Sequence, residues 1–408
     1  MKKTSFFKFC LLLAMGLTAA VFNSCSSDGD GSTPAFQQQY FSVEGASFVN
    51  EEMPENGSSY LISNVSINGN VKGSVINGGS ALLSFESSQP LSAVYVGVVG
   101  EKGYFKYDLT SKALAKATDL QQVSAVPAAP CYYEILLLLS QALNVDNFRI
   151  CLVGVTASGD ISAQTDTELI DVVEVGTGKL QVSLSWDQLD DVDLHLFEPD
   201  GTEICYWNRV STDNFEVNQQ FMFDFYCYLV NKYTSHNASN LRYSNENDQM
   251  TLWGYMYDLP ETIDEDAEYI AFLASKNIKR YGELDLDSNP ACIIDGINNE
   301  NITYADNVKS GKYTVAVNLW EKCNYVKPGA KYSVTVIYNG QTVWAKTGQF
   351  DDNNEGNDDD DPNRFVTIGT FTISGNTARA NAQGVEAALP SANVSPTMKA
   401  MAAKVFKK

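Results

Sequence analysis

Apolar and polar residues alternate with period two along much of the chain, the pattern of strands with one face buried. It is clearest at Leu180-Gln181-Val182-Ser183-Leu184-Ser185-Trp186, and again over 313–317 and 332–336. Short apolar runs bounded by turn residues predict further strands over 80–86 and 93–99. The stretch 132–139 fits helix or strand; with its Val- and Ile-bearing neighbour 148–156 it is read as a strand. Asn-Gly pairs at Asn56-Gly57, Asn68-Gly69, Asn77-Gly78 and Asn339-Gly340 are type I′ hairpin signals. Two all-β sandwich domains follow: an immunoglobulin-like one over 39–175 and a jelly-roll-like or sandwich-like one over 176–375, divided at Gly176-Thr177-Gly178. The best helical signal runs 264–281, with Asp264 as cap and Gly282 as stop. The acidic block 351–361 reads as a solvated hairpin loop, because like charges cannot pack together. Beyond 376 the alanine-rich tail reads as disordered to Ser395, then as a short amphipathic helix through Met398, Met401 and Val405.

Composition narrows the function. The chain has 408 residues, with 28 Lys and Arg against 50 Asp and Glu, a net charge of −22. Phosphate would be repelled, so nucleic acid is excluded as a partner of the usual electrostatic kind, and so is polybasic attraction to anionic lipid. Only two histidines occur, His195 and His236, too few for a multi-histidine metal site.

Residues 1–24 read as an export signal: Lys2, Lys3 and Lys8 precede an apolar run, 9–22, too short to span a bilayer. The run ends at Val21-Phe22-Asn23-Ser24-Cys25, which resembles a bacterial lipoprotein signal, although Phe22 and Asn23 stand where small or branched residues are usual. The resemblance implies acylation of Cys25, outer-membrane lipid as its partner, and an outer-membrane, lipid-anchored location. The acidic, flexible tether 25–38 is similar to signals that carry such proteins to the cell surface. Cleavage near Ala19-Ala20, with Cys25 a bystander, is the alternative. Six further cysteines follow: Cys131, Cys151, Cys205, Cys227, Cys292 and Cys323. None forms a C-x-x-C pair, so zinc ribbons and thioredoxin-like motifs are out; disulfides of open pairing, or buried free thiols, remain. Cys131 and Cys151 are one candidate pair.

The chemistry-bearing stretch is Trp186-Asp187-Gln188-Leu189-Asp190-Asp191-Val192-Asp193-Leu194-His195-Leu196-Phe197-Glu198-Pro199-Asp200-Gly201. On a strand Asp191, Asp193 and His195 share one face, while Val192, Leu194 and Leu196 share the core-facing one, leaving the acids on an outer groove or edge. Leu284-Asp285-Leu286-Asp287-Ser288-Asn289 repeats the pattern, and Glu300-Asn301-Ile302 follows. This order resembles a bacterial β-sandwich family of unassigned function, sometimes found with von Willebrand A-type modules. Its marks are a Trp, then Asp-Val-Asp-Leu-His and Pro-x-Gly, then Leu-Asp-x-Asp, then Gly-Pro-Glu-Asn-Ile; here Asn298-Asn299 replace the Gly-Pro. The resemblance implies fold more than function.

Carboxylates two apart on a strand lie ~6.7 Å apart and repel by about 2.5 kcal/mol at an effective dielectric near 20. Were Asp191, Asp193, Asp285 and Asp287 to converge, their mutual repulsion of more than ~10 kcal/mol would rival a domain's stability. Either they stay solvated or backbone-bonded, or a cation sits among them. A hard oxygen set favours calcium, with Asn289 or Glu300 completing the ligands and His195 as a hydrogen-bond partner behind them.

Residues 210–281 form an insertion relative to that family and hold 14 of the chain's 46 aromatic residues, including Phe221, Phe223, Phe225 and Tyr226. Either they build a small core of their own or they offer faces to a glycan or surface-protein partner, with Tyr206, Trp207 and Trp253 as the candidate contacts. No nucleophile elbow, zincin or P-loop motif occurs. An anchored binding or structural protein is therefore the expectation, and a polysaccharide hydrolase using paired carboxylates the alternative.

Overall fold

The computed structural model describes residues 36–54, 57, 59–109, 130–206, 208–212, 215–260, 262–263, 265–323, 329–351 and 365–381. The fold is all-β and sandwich-like, with 46% strand and 14% helix. Among the described residues no helix is long and apolar enough to cross a membrane. The export signal with Cys25, Trp207, the Asp264 cap, the block from 352 onward and the tail helix lie outside the described residues.

In the N-terminal half, one sheet orders the strands Phe41–Val43, Cys131–Leu139, Ser80–Ser87 and Ile62–Ile67. A second orders Thr165–Asp166, Ile150–Thr156, Leu91–Val98, Tyr104–Asp108 and Ser47–Val49. Leu83, Phe85 and Ile135 from the first face Val94, Val96 and Leu152 from the second in one apolar core. A small third sheet joins Ser74–Ile76 in parallel to Ile170–Val173. Asn68-Gly69 and Asn339-Gly340 turn with both residues at positive φ, as a type I′ turn requires. At Asn77-Gly78 only the glycine does so.

The C-terminal half stacks two five-stranded antiparallel sheets. The first orders Glu283–Leu286, Asn299–Tyr304, Leu180–Trp186, Lys331–Tyr338 and Gln341–Gln349. The second orders Glu203–Ile204, the motif strand Asp191–Phe197, Gly311–Glu321, Phe365–Ser374 and Thr377–Ala380. Thr377–Ala380 pairs with Phe365–Ser374, so the chain past Asn376 begins as an ordered hairpin arm where sequence suggested disorder.

All seven residues of Leu180–Trp186 are buried. Leu180, Val182, Leu184 and Trp186 enter the C-terminal core. The alternate polar residues meet the other half of the chain: Gln181 donates to Asn77 O at 2.8 Å and Ser185 Oγ to Ser80 O at 2.8 Å. Ser333 Oγ bonds the hydroxyls of both Ser80 (2.9 Å) and Ser185 (2.7 Å). The alternation that reads as one wet face marks a buried polar seam, in which small hydroxyl side chains satisfy the backbone of the facing strand.

The insertion is helical: Phe215–Tyr233, Glu246–Met256 and Glu265–Ser275. The last helix stops short of Gly282 because Asn277 takes a left-handed conformation two residues past its end. Phe223, Phe225, Tyr226, Leu229, Leu252 and Leu273 are fully buried and continuous with the C-terminal core. Phe225 sits 4.8 Å from Tyr269 and 5.6 Å from Phe272 between ring centroids. Most of the aromatic enrichment is therefore packing.

Candidate functional site

The motif strand is buried along its whole length: Asp191, Asp193 and His195 are 2%, 3% and 2% exposed. This corrects the expectation of an outer, wet row of acids. The Glu203–Ile204 strand covers only Leu196 and Phe197, so the first half of the motif strand keeps an edge without a ladder partner there. Glu300 reaches that edge from the facing sheet. Its Oε2 accepts the backbone N–H of Leu194 at 2.5 Å.

Asp193, Asp287 and Glu300 converge there, with one carboxylate oxygen from each lying within 4.8 Å of the others. Glu300 is fully buried, and its second oxygen, Oε1, accepts no hydrogen bond. Burial first, and then the charges of Asp287 and Asp193, push its carboxyl well above the usual carboxylate range; the Leu194 N–H opposes the rise. Directly across the ladder from Asp193 stands Asn318, whose buried Oδ1 also accepts no hydrogen bond. It carries no local sequence signal and is legible only from the strand register.

The other expected ligands are engaged elsewhere. Leu284 pairs with Ile302 and Leu286 with Asn301, so Asp285 is the extra residue of a β-bulge. The bulge breaks the alternation that would have put Asp285 and Asp287 on one face. Asp285 instead accepts from Asn301 Nδ2 at 2.7 Å and from the backbone N–H of Gly176, tying the linker between the halves to the sheet. Asn289 has both ends of its amide committed: Nδ2 donates to Asp190 O at 3.1 Å and Asn298 Oδ1 at 2.9 Å, and Oδ1 accepts from Asp295 N at 3.1 Å. It pins the loop 287–298. Asp191 accepts the backbone N–H of Ala291 at 2.6 Å, and the ladder shifts register between Asp191 and Val192, moving Asp191 out of the row of Asp193.

The loop that carries Asp287 is fastened by a disulfide. Cys292 joins Cys323, just past the end of Gly311–Glu321. Among the described residues Cys131, Cys151, Cys205 and Cys227 take part in no disulfide, so the Cys131–Cys151 pairing does not form. The two lie on strands of different sheets. Burial pushes the Cys151 and Cys227 thiols up to about 12, which leaves both unreactive at neutral pH.

His195 pairs through Nδ1 with Glu203 Oε1 at 2.8 Å. Tyr206, a candidate ligand contact, is only 9% exposed and packs its ring against Trp320 (4.9 Å) and edge-on to His195 (6.3 Å). Its place in the core contradicts an open binding role. Trp253 is half-buried against the C-terminal core, beside the exposed Tyr257 at 6.0 Å. No protein-family model matches the chain, and no curated protein matches it significantly.

Proposed function

We propose that the chain is a lipid-anchored, cell-surface scaffold whose C-terminal sandwich is held together by calcium at Asp193, Asp287 and Glu300. The observation that carries this reading is the convergence of three carboxylates, among them that of Glu300, whose buried Oε1 accepts no hydrogen bond. Buried like charges oppose folding unless they are protonated or share a cation. The donors are all hard oxygens, and Asn318 Oδ1 adds a neutral one opposite Asp193, a set suited to calcium. Such an ion would bridge the two stacked sheets, since Glu300 and Asp193 come from different ones. The anchor rests on the resemblance of the segment around Cys25 to a lipoprotein signal. A glycan or protein partner would meet the insertion at Tyr257, which is 61% exposed, beside Trp253.

The hydrolase reading gains nothing from this geometry. Glu300 and Asp193 are 0% and 3% exposed, which leaves a saccharide no path to either carboxylate. The test is thermal unfolding in calcium and in chelator. A calcium concentration about a hundredfold above Kd stabilises a one-site protein by about 2.7 kcal/mol. An unchanged melting temperature would leave the scaffold without its ion. Loss of membrane association in Cys25→Ala tests the anchor separately.

A further inference from the structure

The motif strand carries a second cluster, two residues from the first and of different chemistry. His195, Glu203 and Cys205 each bring a metal-ligating atom within 4.8 Å of the other two, and all three residues are buried. The register explains the convergence. Leu196 pairs with Ile204 and Phe197 with Glu203, so Cys205 falls directly opposite His195, and Glu203 lies on the diagonal of the same face. A thiol, an imidazole and a carboxylate thus project together from a two-stranded ribbon. Around them, the ring of Phe365 stands edge-on to His195 at 4.6 Å and that of Tyr206 at 6.3 Å.

We infer that His195, Glu203 and Cys205 form a zinc site, separate from the carboxylate cluster and independent of whether that cluster holds calcium. The donor set is what decides the metal: sulfur and nitrogen suit a borderline ion such as zinc and are poor ligands for calcium. Tetrahedral bonds of about 2.0–2.3 Å set donor atoms roughly 3.3–3.8 Å apart. Zinc entering between His195 Nδ1 and Glu203 Oε1, now 2.8 Å apart, takes the place of the proton they share and widens the pair. The neutral imidazole keeps its one proton, on Nε2, and binding releases the thiol proton of Cys205. One thiolate and one carboxylate then balance the two charges of the ion, so the buried site is neutral. Linear spacing hid this site: the ligands are spaced as His-x7-Glu-x-Cys, which matches no zinc motif, and only the hairpin pairing brings them together.

The experiment uses the whole protein, stripped with chelator and titrated with zinc against a chromophoric competitor, with cobalt(II) as a spectroscopic substitute. The proposal expects one zinc per chain, affinity lowered about tenfold or more in Cys205→Ser and in His195→Ala, and a near-ultraviolet thiolate-to-cobalt band. Should Cys205→Ser fail to fold, the cobalt spectrum decides alone, recorded on protein in which Cys131, Cys151 and Cys227 are replaced by Ala. Cys205 is then the one cysteine outside the disulfide among the described residues. No zinc retained, an affinity unchanged by Cys205→Ser, or cobalt bound without the thiolate band overturns the proposal.

Discussion

The backbone N–H of Leu194 donates to Oε2 of Glu300 at 2.5 Å, joining residues 106 positions apart across two stacked sheets. A side-chain carboxylate takes the role a neighbouring strand would play, and its charge is thereby carried into the core beside Asp193 and Asp287. The arrangement is costly without a counter-charge, and that cost can be measured.

Glu300→Gln keeps an oxygen for the Leu194 N–H but removes the charge. In chelator this variant should melt above the parent protein, because it relieves repulsion with Asp287 and Asp193. In calcium the order should reverse. Glu300→Ala, which leaves the Leu194 donor without its acceptor, should cost about 1–3 kcal/mol in either condition. Differential scanning calorimetry of the three proteins in both buffers checks all of this.

The pH dependence in chelator has a definite sign. Burial raises Glu300, and burial raises Asp187 to about 6 against the opposing N–H and charge of Lys331. A carboxyl raised in the folded state holds its proton where the unfolded chain, with carboxyl pKa values of about 4, has lost it. The folded state binds more protons, so this contribution is complete below about pH 4 and is lost as pH rises, through about 6 for Asp187, with raised Glu300 adding a loss of the same sign. Melting temperature should therefore fall as pH rises through about 6 in chelator, and calcium should flatten the part due to Glu300. A stability that climbs with pH in chelator contradicts the assignment.

Asp285→Ala should behave differently from Asp287→Ala. The first frees the Gly176 and Asn301 donors and should cost about 1–3 kcal/mol while leaving the calcium response intact. The second should abolish that response. Titrating both variants with calcium while following unfolding separates the linker tie from the cation site.

Reducing Cys292–Cys323 releases the loop that presents Asp287. The link closes a sequence separation of 31, so its loss should cost about 2–4 kcal/mol. It should also weaken the calcium response, because Asp287 must then be ordered by the ion itself. Urea unfolding of Cys292→Ala/Cys323→Ala, with and without calcium, measures both effects.

Much of the C-terminal sandwich was legible in the chain. Strands Leu180–Trp186 and Asp191–Phe197 form where the alternation places them. What alternation could not convey was which wet-looking face is covered. Ser183, Ser185 and Gln181 read as solvent-facing yet lie in the seam, because burial there depends on strands more than 100 positions earlier. The ligand set was legible in part. Asp193, Asp287 and Glu300 meet, but a bulge at Asp285 and a register shift beside Asp191 undo the simple period-two face. Bulges leave little trace in a single sequence. Glu203 and Cys205 were invisible for a related reason: their proximity to His195 comes from pairing, not spacing.

Calcium binding by isothermal titration, run on the parent protein, Glu300→Gln and Asp285→Ala, addresses the central claim most directly. Saturable uptake of a single ion by the parent and by Asp285→Ala, absent from Glu300→Gln, is the predicted result. No heat of binding in the parent, or binding that survives Glu300→Gln unchanged, would mean that the three converging carboxylates are reconciled by protonation and not by a cation.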